Sequence, residues 1–250
     1  MSRPTQTFLG LPMAGLSLSE ATADVRRRAA EPAFSYLVTP NVDHVVKLNA
    51  PAGDPRADAF RAAYAEAALV LCDSRILARL ARLSGLRLSV VPGSDLTAGL
   101  FRGGHLDGHV VAIIGGGASL ADRLRERFPG PRYLQHRPPM GVLGDMDAMA
   151  AITRFVAETE AEVTLFAMGA PQSEVAARMC RNTPGARGVG LCIGASIDFL
   201  TGDQRRAPAW MQRLGIEWLF RLLSEPGRLW RRYLVEGPRV FAIWWRARSR

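Results

Sequence analysis

The sequence predicts an α/β fold, a largely parallel sheet with helices on both faces, followed by a helical C-terminal appendage rich in arginine and tryptophan. Three observations point there. Short apolar or β-branched runs alternate with helical patterns as far as about residue 200, the signature of strand–helix–strand units. Glycine or polar clusters follow several of the apolar runs, at the strand ends where parallel sheets hold their ligands. Charge and tryptophan also separate along the chain. From residue 205 onward there are eleven arginines against three glutamates, a net of +8 out of +9, and all five tryptophans.

The elements follow in order. Ser17 with Glu20 three residues later has the capping-box pattern, so a helix is expected over Ser17–Ala29. Strands are expected at Phe34–Val38, Ala68–Cys72, Leu88–Val91, Val110–Ile114, Arg132–Gln135, Val163–Met168 and Arg187–Ile193. Between them fall helices at Val42–Leu48, Pro55–Ala67, Ser74–Leu83, Ser94–Phe101, Ser119–Phe128, Asp145–Thr159 and Gln172–Asn182. The arrangement is Rossmann-like, and the change in composition divides the chain into a body, 1–203, and an appendage, 204–250.

Composition narrows the classes. With 48% hydrophobic residues the chain can bury a large core and is neither disordered nor collagen-like. No run approaches the ~20 apolar residues of a transmembrane helix, and the N-terminus lacks the apolar core of a secretory signal. Cys72, Cys180 and Cys192 have neither a disulfide framework nor metal-ligand spacing. The expectation is a cytosolic enzyme.

Five strand ends carry chemistry: Thr39-Pro40-Asn41 with Asp43-His44, Cys72-Asp73-Ser74, Gly115-Gly116-Gly117 through Ser119, Gly169-Ala170-Pro171-Gln172-Ser173-Glu174, and Gly194 through Asp198. Singly, each has an ordinary reading. Asp73 suits a helix cap. The glycines are no dinucleotide fingerprint, because position 120 is leucine, yet glycine leading into a helix exposes amides that suit phosphate. Asp145-Met146-Asp147 has the spacing of a metal-binding acidic pair, but it follows Gly144 at the start of a helical pattern, which favours helix-start carboxylates. His44, His105, His109 and His136 lack ligand spacing, and packing is the expected role of His44. No nucleophile elbow is present.

The combination is more specific. The chain resembles the WecG/TagA/CpsF family of bacterial glycosyltransferases from about Phe34 to Val240. The resemblance is carried by Thr39-Pro-Asn41, Cys72-Asp73-Ser74, Pro92-Gly93-Ser94-Asp95-Leu96, Gly115–Gly117, Pro138-Pro139-Met140-Gly141, Gly169–Glu174 and Gly190–Asp198. Most distinctive is the long block from Arg205-Arg206-Ala207-Pro208 through Glu217-Trp218 and Glu225-Pro226 to Arg231-Arg232-Tyr233-Leu234. The resemblance implies an inverting transfer, with no metal and no cofactor, of an N-acetylmannosamine-type or related sugar. The donor is a UDP-sugar and the acceptor a lipid-pyrophosphate-linked sugar, at the inner face of the plasma membrane. It implies Asp73 as the base, with Thr39 and Asn41 beside it. Gly115, Gly116, Gly117, Gly141, Gly169, Pro171, Gln172, Ser173, Glu174 and Asp198 fall on the donor side. Two positions depart from the family pattern: Ser74 stands where many members have glycine, and Ser173 where many have glutamine.

Inverting transfer needs a base for the acceptor hydroxyl and positive charge for the leaving diphosphate. Arg205, Arg206, Arg221, Arg228, Arg231 and Arg232 are the candidates for phosphate or acceptor contacts, at least half of them expected to face solvent or lipid. Towards the C-terminus Val240, Ile243, Trp244 and Ala247 share one helical face and Arg239, Arg246 and Arg250 another, a pattern suited to an anionic membrane surface. Trp210 and Trp218 are the tryptophans with a competing reading as core. Self-association stays open. Two other classes compete: a basic nucleic-acid-binding protein, against which the confinement of charge to the appendage argues, and a nucleotide-dependent oxidoreductase, suggested by the glycine turn alone.

Overall fold

The computed structural model describes residues 3–202 and 207–248. A six-stranded, all-parallel sheet runs through the body. It comprises β3 (Ser35–Val38), β4 (Leu69–Val70), β5 (Val110–Gly115), β6 (Arg132–His136), β7 (Val163–Ala167) and β8 (Val189–Cys192), in the order β4-β3-β8-β7-β5-β6. Alternate residues feed opposite faces, as the pleat requires. Tyr36, Val38, Ile114, Phe166 and Cys192 enter one core, and Leu37, Val111, Ile113, Leu165 and Leu191 the other.

Helices cover both faces. The first core takes α2 (Val42–Leu48), α3 (Pro55–Ala65), α4 (Arg75–Leu83), α7 (Met146–Thr159) and α8 (Gln172–Arg181). The second takes α1 (Leu18–Ala29), α5 (Gly93–Arg102), α6 (Leu120–Arg127) and α9 (Asp198–Thr201). The capping box of α1 forms, Ser17 accepting from the Glu20 amide while Glu20 reaches back to the Ser17 amide at 2.7 Å. β5 exits to α6 on one face and its neighbour β7 to α8 on the other; β3 and β8 diverge in the same way. Divergent exits open crevices at the carboxyl edge of the sheet.

Two features differ from the sequence reading. Leu88–Val91 is no strand: it touches the sheet edge through one parallel bridge, Cys72 to Val90, and its apolar residues Leu88 and Val91 are spent on packing. β4 is accordingly short, its continuation held by single bonds from the Leu71 amide to Val38 and the Asp73 amide to Pro40. The second difference is a hairpin at the N-terminus, β1 (Arg3–Phe8) and β2 (Leu11–Gly15), turning at Leu9 and Gly10 with φ of 50° and 80°. Both turn residues occupy the left-handed region that two-residue hairpins demand, but Leu-Gly lacks the usual asparagine or aspartate signal.

The appendage forms α10 (Ala209–Leu214), α11 (Glu217–Ser224), α12 (Pro226–Trp230), a π-helical turn at Arg231–Glu236 and α13 (Arg239–Arg248). Its amphipathic logic is inverted relative to the sequence reading. Val240 is buried in the first core, and Ile243 and Trp244 pack against it. The Trp244 indole N–H donates to the Leu80 carbonyl and to Ser84 Oγ (3.1 and 2.9 Å). The apolar face of α13 is thus consumed by the body, and its exposed apolar residues are Phe241 and Trp245. Trp210, one of the two tryptophans with a core reading, is 58% exposed. No helix among the described residues is long and apolar enough to cross a membrane.

Candidate active site

Every strand of the parallel sheet brings its carboxyl end to one edge, so the signals scattered through the sequence converge there. Asp73 follows β4 and lies just before Ser74, whose hydroxyl accepts from the Leu77 amide and caps α4. Capping therefore falls to Ser74 and leaves the Asp73 carboxylate for other work. Burial, with the charge of Glu217, the first residue of α11, adding to it, pushes that carboxyl up to about 8 against the opposing pull of the Gly93 amide and Arg221. Glu217 and Arg221 are one helical turn apart, so a single face of α11 presents an acid and a base to Asp73.

Thr39, at the end of β3, is buried and donates to the Cys192 carbonyl of β8 at 3.3 Å. A Cβ on Gly93 would stand 3.0 Å from Thr39 Oγ1 and 3.4 Å from Ser196 Oγ, so glycine lets this backbone, whose amide bonds Asp73, pass close to both hydroxyls. Asn41 is the N-cap of α2, its Oδ1 accepting from the Asp43 and His44 amides at 3.0 and 3.4 Å.

The donor-side candidates fall farther along the edge. Gly115 has φ of 91°, and a Cβ there would strike Met168 Cγ at 2.8 Å and the Ala167 carbonyl at 3.0 Å; glycine alone serves this crossing of β5 and β7. Gln135 donates to the Gly115 and Gly117 carbonyls (2.8 and 2.9 Å) and pins the loop. Gly117 is exposed, and a Cβ there would stand 4.0 Å from Arg123 Nη2, so its backbone can meet a ligand beside that guanidinium. Asp198 opens α9 after β8 and is half-buried. Gly141 lies beyond β6, at the opposite sheet edge from β4. At ~4.8 Å per strand the β4 and β6 strands are about 24 Å apart.

The loop Gly169–Glu174 is exposed at Gly169, half-buried from Ala170 to Gln172 and anchored below. The Ser173 hydroxyl is 1% exposed and donates to the Met168 and Phe166 carbonyls (2.8 and 3.2 Å). Lys47 Nζ donates to the Ala170 carbonyl (2.9 Å) and to Asp43 Oδ2 (2.8 Å), and Arg232 of the appendage approaches the same Asp43 oxygen at 3.3 Å. Although burial opposes it, Arg232 and Lys47 hold the Asp43 carboxyl below its usual range. Sequence reasoning missed this relay and Glu217. The Asp43–Lys47 pair was visible as an i,i+4 pair on α2, whereas its partner 189 residues later carried no local signal.

Beneath the loop Glu174 is 2% exposed, its Oε1 3.9 Å from His44 Nδ1 and its Oε2 without a hydrogen bond. Burial pushes His44 down to about 3, so the ring is neutral; it shares a 2.7 Å hydrogen bond with Tyr64 and packs edge-on to Phe60. Packing is its role, as expected. Burial raises Glu174 from 4.5 to about 7. A raised folded-state value means that the carboxyl contributes stability below its unfolded value and loses it as pH rises through about 7. Glu174→Gln is therefore expected to be more stable than the wild type at pH 8, on the order of 2 kcal/mol, and nearly equal at pH 5. Urea unfolding at the two pH values checks this; an equal difference at both contradicts it.

Of the appendage arginines, Arg221 lies over the Phe199 ring at 5.8 Å, its charge lowering the proton affinity of Asp73; Arg232 reaches Asp43, and Arg231 turns outward to Glu236 at 3.2 Å. Arg228 belongs to α12. Arg205, Arg206 and Arg250 lie outside the described residues. Asp145 is the N-cap of α7, accepting from the Ala148 amide at 2.9 Å, which accounts for the Asp145/Asp147 motif as a helix start. Among the described residues no group of three or more histidine, cysteine, aspartate or glutamate side chains is gathered as a metal site.

A half-buried carboxylate at a strand end, glycine backbones at a divergent crevice and arginines folded back from a C-terminal arm form a site suited to group transfer from a phosphorylated donor. A model of the glycosyl transferase WecG/TagA/CpsF family matches residues 6–250, nearly the whole chain. This chain belongs to the WecG/TagA/CpsF family, glycosyltransferases of cell-surface polysaccharide synthesis.

Proposed function

We propose that the protein transfers an N-acetylmannosamine-type or related hexose from a UDP donor to a lipid-pyrophosphate-linked sugar, with inversion and without a metal. The observation that carries this reading is Asp73: a carboxylate at a strand end whose basicity is raised to about 8 by burial and by Glu217. The ionised carboxylate takes the proton from the acceptor hydroxyl as its oxygen attacks the anomeric carbon. The bond from that carbon to the UDP oxygen breaks on the opposite side, and the departing diphosphate keeps the electron pair. Amides of the Gly115–Gly117 turn and the Gly169–Glu174 loop, with Asp198 towards the ribose or base, make the donor side. Thr39 and Asn41 line the acceptor side, and Arg221 and Arg232 supply positive charge near the reacting groups.

The body, 1–203, carries the donor site; the appendage, 204–250, completes it and docks on the inner face of the plasma membrane. Support comes from Trp210, Leu214, Leu223, Trp230, Phe241 and Trp245, all exposed on a segment with a net charge of +8. A panel of UDP-sugars, each incubated with a lipid-diphosphate-sugar acceptor in EDTA, tests the reading. UDP release with an N-acetylhexosamine donor is expected. Release that depends wholly on added Mg²⁺ or Mn²⁺, or that no UDP-sugar gives, contradicts it.

A further inference from the structure

Arg75, Arg79 and Arg82 stand at i, i+4 and i+7 on α4 and share one helix face about 10 Å long. Arg87 from the following loop joins them around an open groove of about 390 Å³, with Leu88 and Val90 contributing to its wall. None of the four arginines is paired with a carboxylate among the described residues. Like charges at this helical spacing repel one another, so a stripe of unpaired guanidiniums around a concavity favours an anion. Guanidinium forks match phosphate oxygens in a bidentate way.

The surroundings identify which anion. Arg75, at the inner end of the groove's lining, opens α4 two residues after Asp73. The turn between α10 and α11 packs against this helix face: Arg79 donates to the Leu214 carbonyl at 2.7 Å, and a Cβ on Gly215 would stand 3.3 Å from Arg79 Nη1 and 3.4 Å from Arg75 Cβ. Two residues on, Glu217 faces Asp73. At the outer end of α4 a second groove of about 410 Å³ opens, with Phe8, Leu9, Leu83, Leu86 and Trp244 forming an apolar wall and Thr7, Ser84 and Arg248 supplying polar lining. Along the helix the order is carboxylate, arginines, and a groove with an apolar wall. It is the order sugar, diphosphate, hydrocarbon in a lipid-linked sugar.

We infer that the arginine face of α4 binds the diphosphate of a prenyl-diphosphate lipid, with the first part of its hydrocarbon in the Phe8–Trp244 groove. The inference rests on the proposed function, which supplies the sugar hydroxyl that this lipid would present to Asp73. It assigns the acceptor's diphosphate to α4 rather than to the arginines of the appendage.

The test uses the full chain, with farnesyl diphosphate and inorganic pyrophosphate as probes and UDP as a reference ligand, measured by calorimetry. Arg82→Gln/Arg87→Gln removes the two groove arginines farthest along the chain from Asp73 and spares Arg79, which also holds the appendage. The wild type should bind farnesyl diphosphate more tightly than pyrophosphate. The double variant should weaken farnesyl diphosphate at least tenfold and leave the UDP dissociation constant unchanged. Equal farnesyl diphosphate binding in both proteins overturns the inference. So does pyrophosphate binding as tight as that of farnesyl diphosphate, which would mark a free-anion site. A parallel loss of UDP binding overturns it too, and Arg82→Lys/Arg87→Lys, which keeps both charges, should then fail to restore either ligand. Failure of the groove is distinguishable from failure of the function. Sugar transfer to a lipid diphosphate by an enzyme whose double variant still binds farnesyl diphosphate normally refutes only the groove. Arginine-dependent farnesyl diphosphate binding in a protein that uses no UDP-sugar refutes only the function.

Discussion

Asp73→Asn is expected to lower turnover by about 10²–10⁴-fold while UDP affinity stays within about twofold. Asparagine keeps the shape and can still accept from the Gly93 amide, which hydrogen-bonds the carboxylate, but it cannot take a proton. It also removes the like-charge repulsion from Glu217, so the variant should fold at least as stably as the wild type at pH 8. This separates a loss of chemistry from a loss of structure. UDP release under single-turnover conditions, alongside UDP titration, makes the measurement, and turnover near the wild-type level would remove Asp73 from the mechanism.

The second large effect concerns the membrane. Phe241→Ser/Trp245→Ser removes two apolar side chains that α13 exposes at 53% and 66%. Fully burying such a side chain is worth about 1.5–3 kcal/mol, and partial insertion recovers a fraction of that. Partition to anionic vesicles should therefore fall ten- to a hundredfold with little change in unfolding midpoint. Trp244→Ala should do the opposite: Trp244 packs on the body core and bonds to Leu80 and Ser84, so its loss should cost stability first. Vesicle binding by the Phe241/Trp245 variant equal to that of the wild type, at both low and high salt, would mean that α13 is not the membrane contact.

These contrasts explain what the sequence made legible. The alternation of β3, β5, β7 and β8 with their helices was readable because each strand is buried along all but at most one end residue and each helix shows one apolar face. Asp73 stood out as a charge directly after an apolar run that was already a strand candidate. The hairpin at Leu9-Gly10 was not readable, because its turn lacks the residues that announce such turns, and Leu88–Val91 misled because an apolar run serves packing as well as pairing. In the appendage the periodicity of α13 was real, but periodicity cannot say whether an apolar face meets lipid or its own body. Long-range partners lay beyond reach for the same reason. Glu217 is 144 positions from Asp73, and nothing near either one reports the approach.

The central claim is that Asp73, made more basic by its surroundings, is the base of the reaction. The pH dependence of kcat/KM tests it most directly. A carboxyl raised to about 8 is largely protonated at neutral pH, and only its ionised form accepts the proton, so the rate should climb with pH and level off above about 8. Because Glu217 adds to the rise, Glu217→Gln should move that limb to lower pH. A rate that is flat from pH 6 to 9 in the wild type, or a limb that Glu217→Gln leaves in place, would contradict the account.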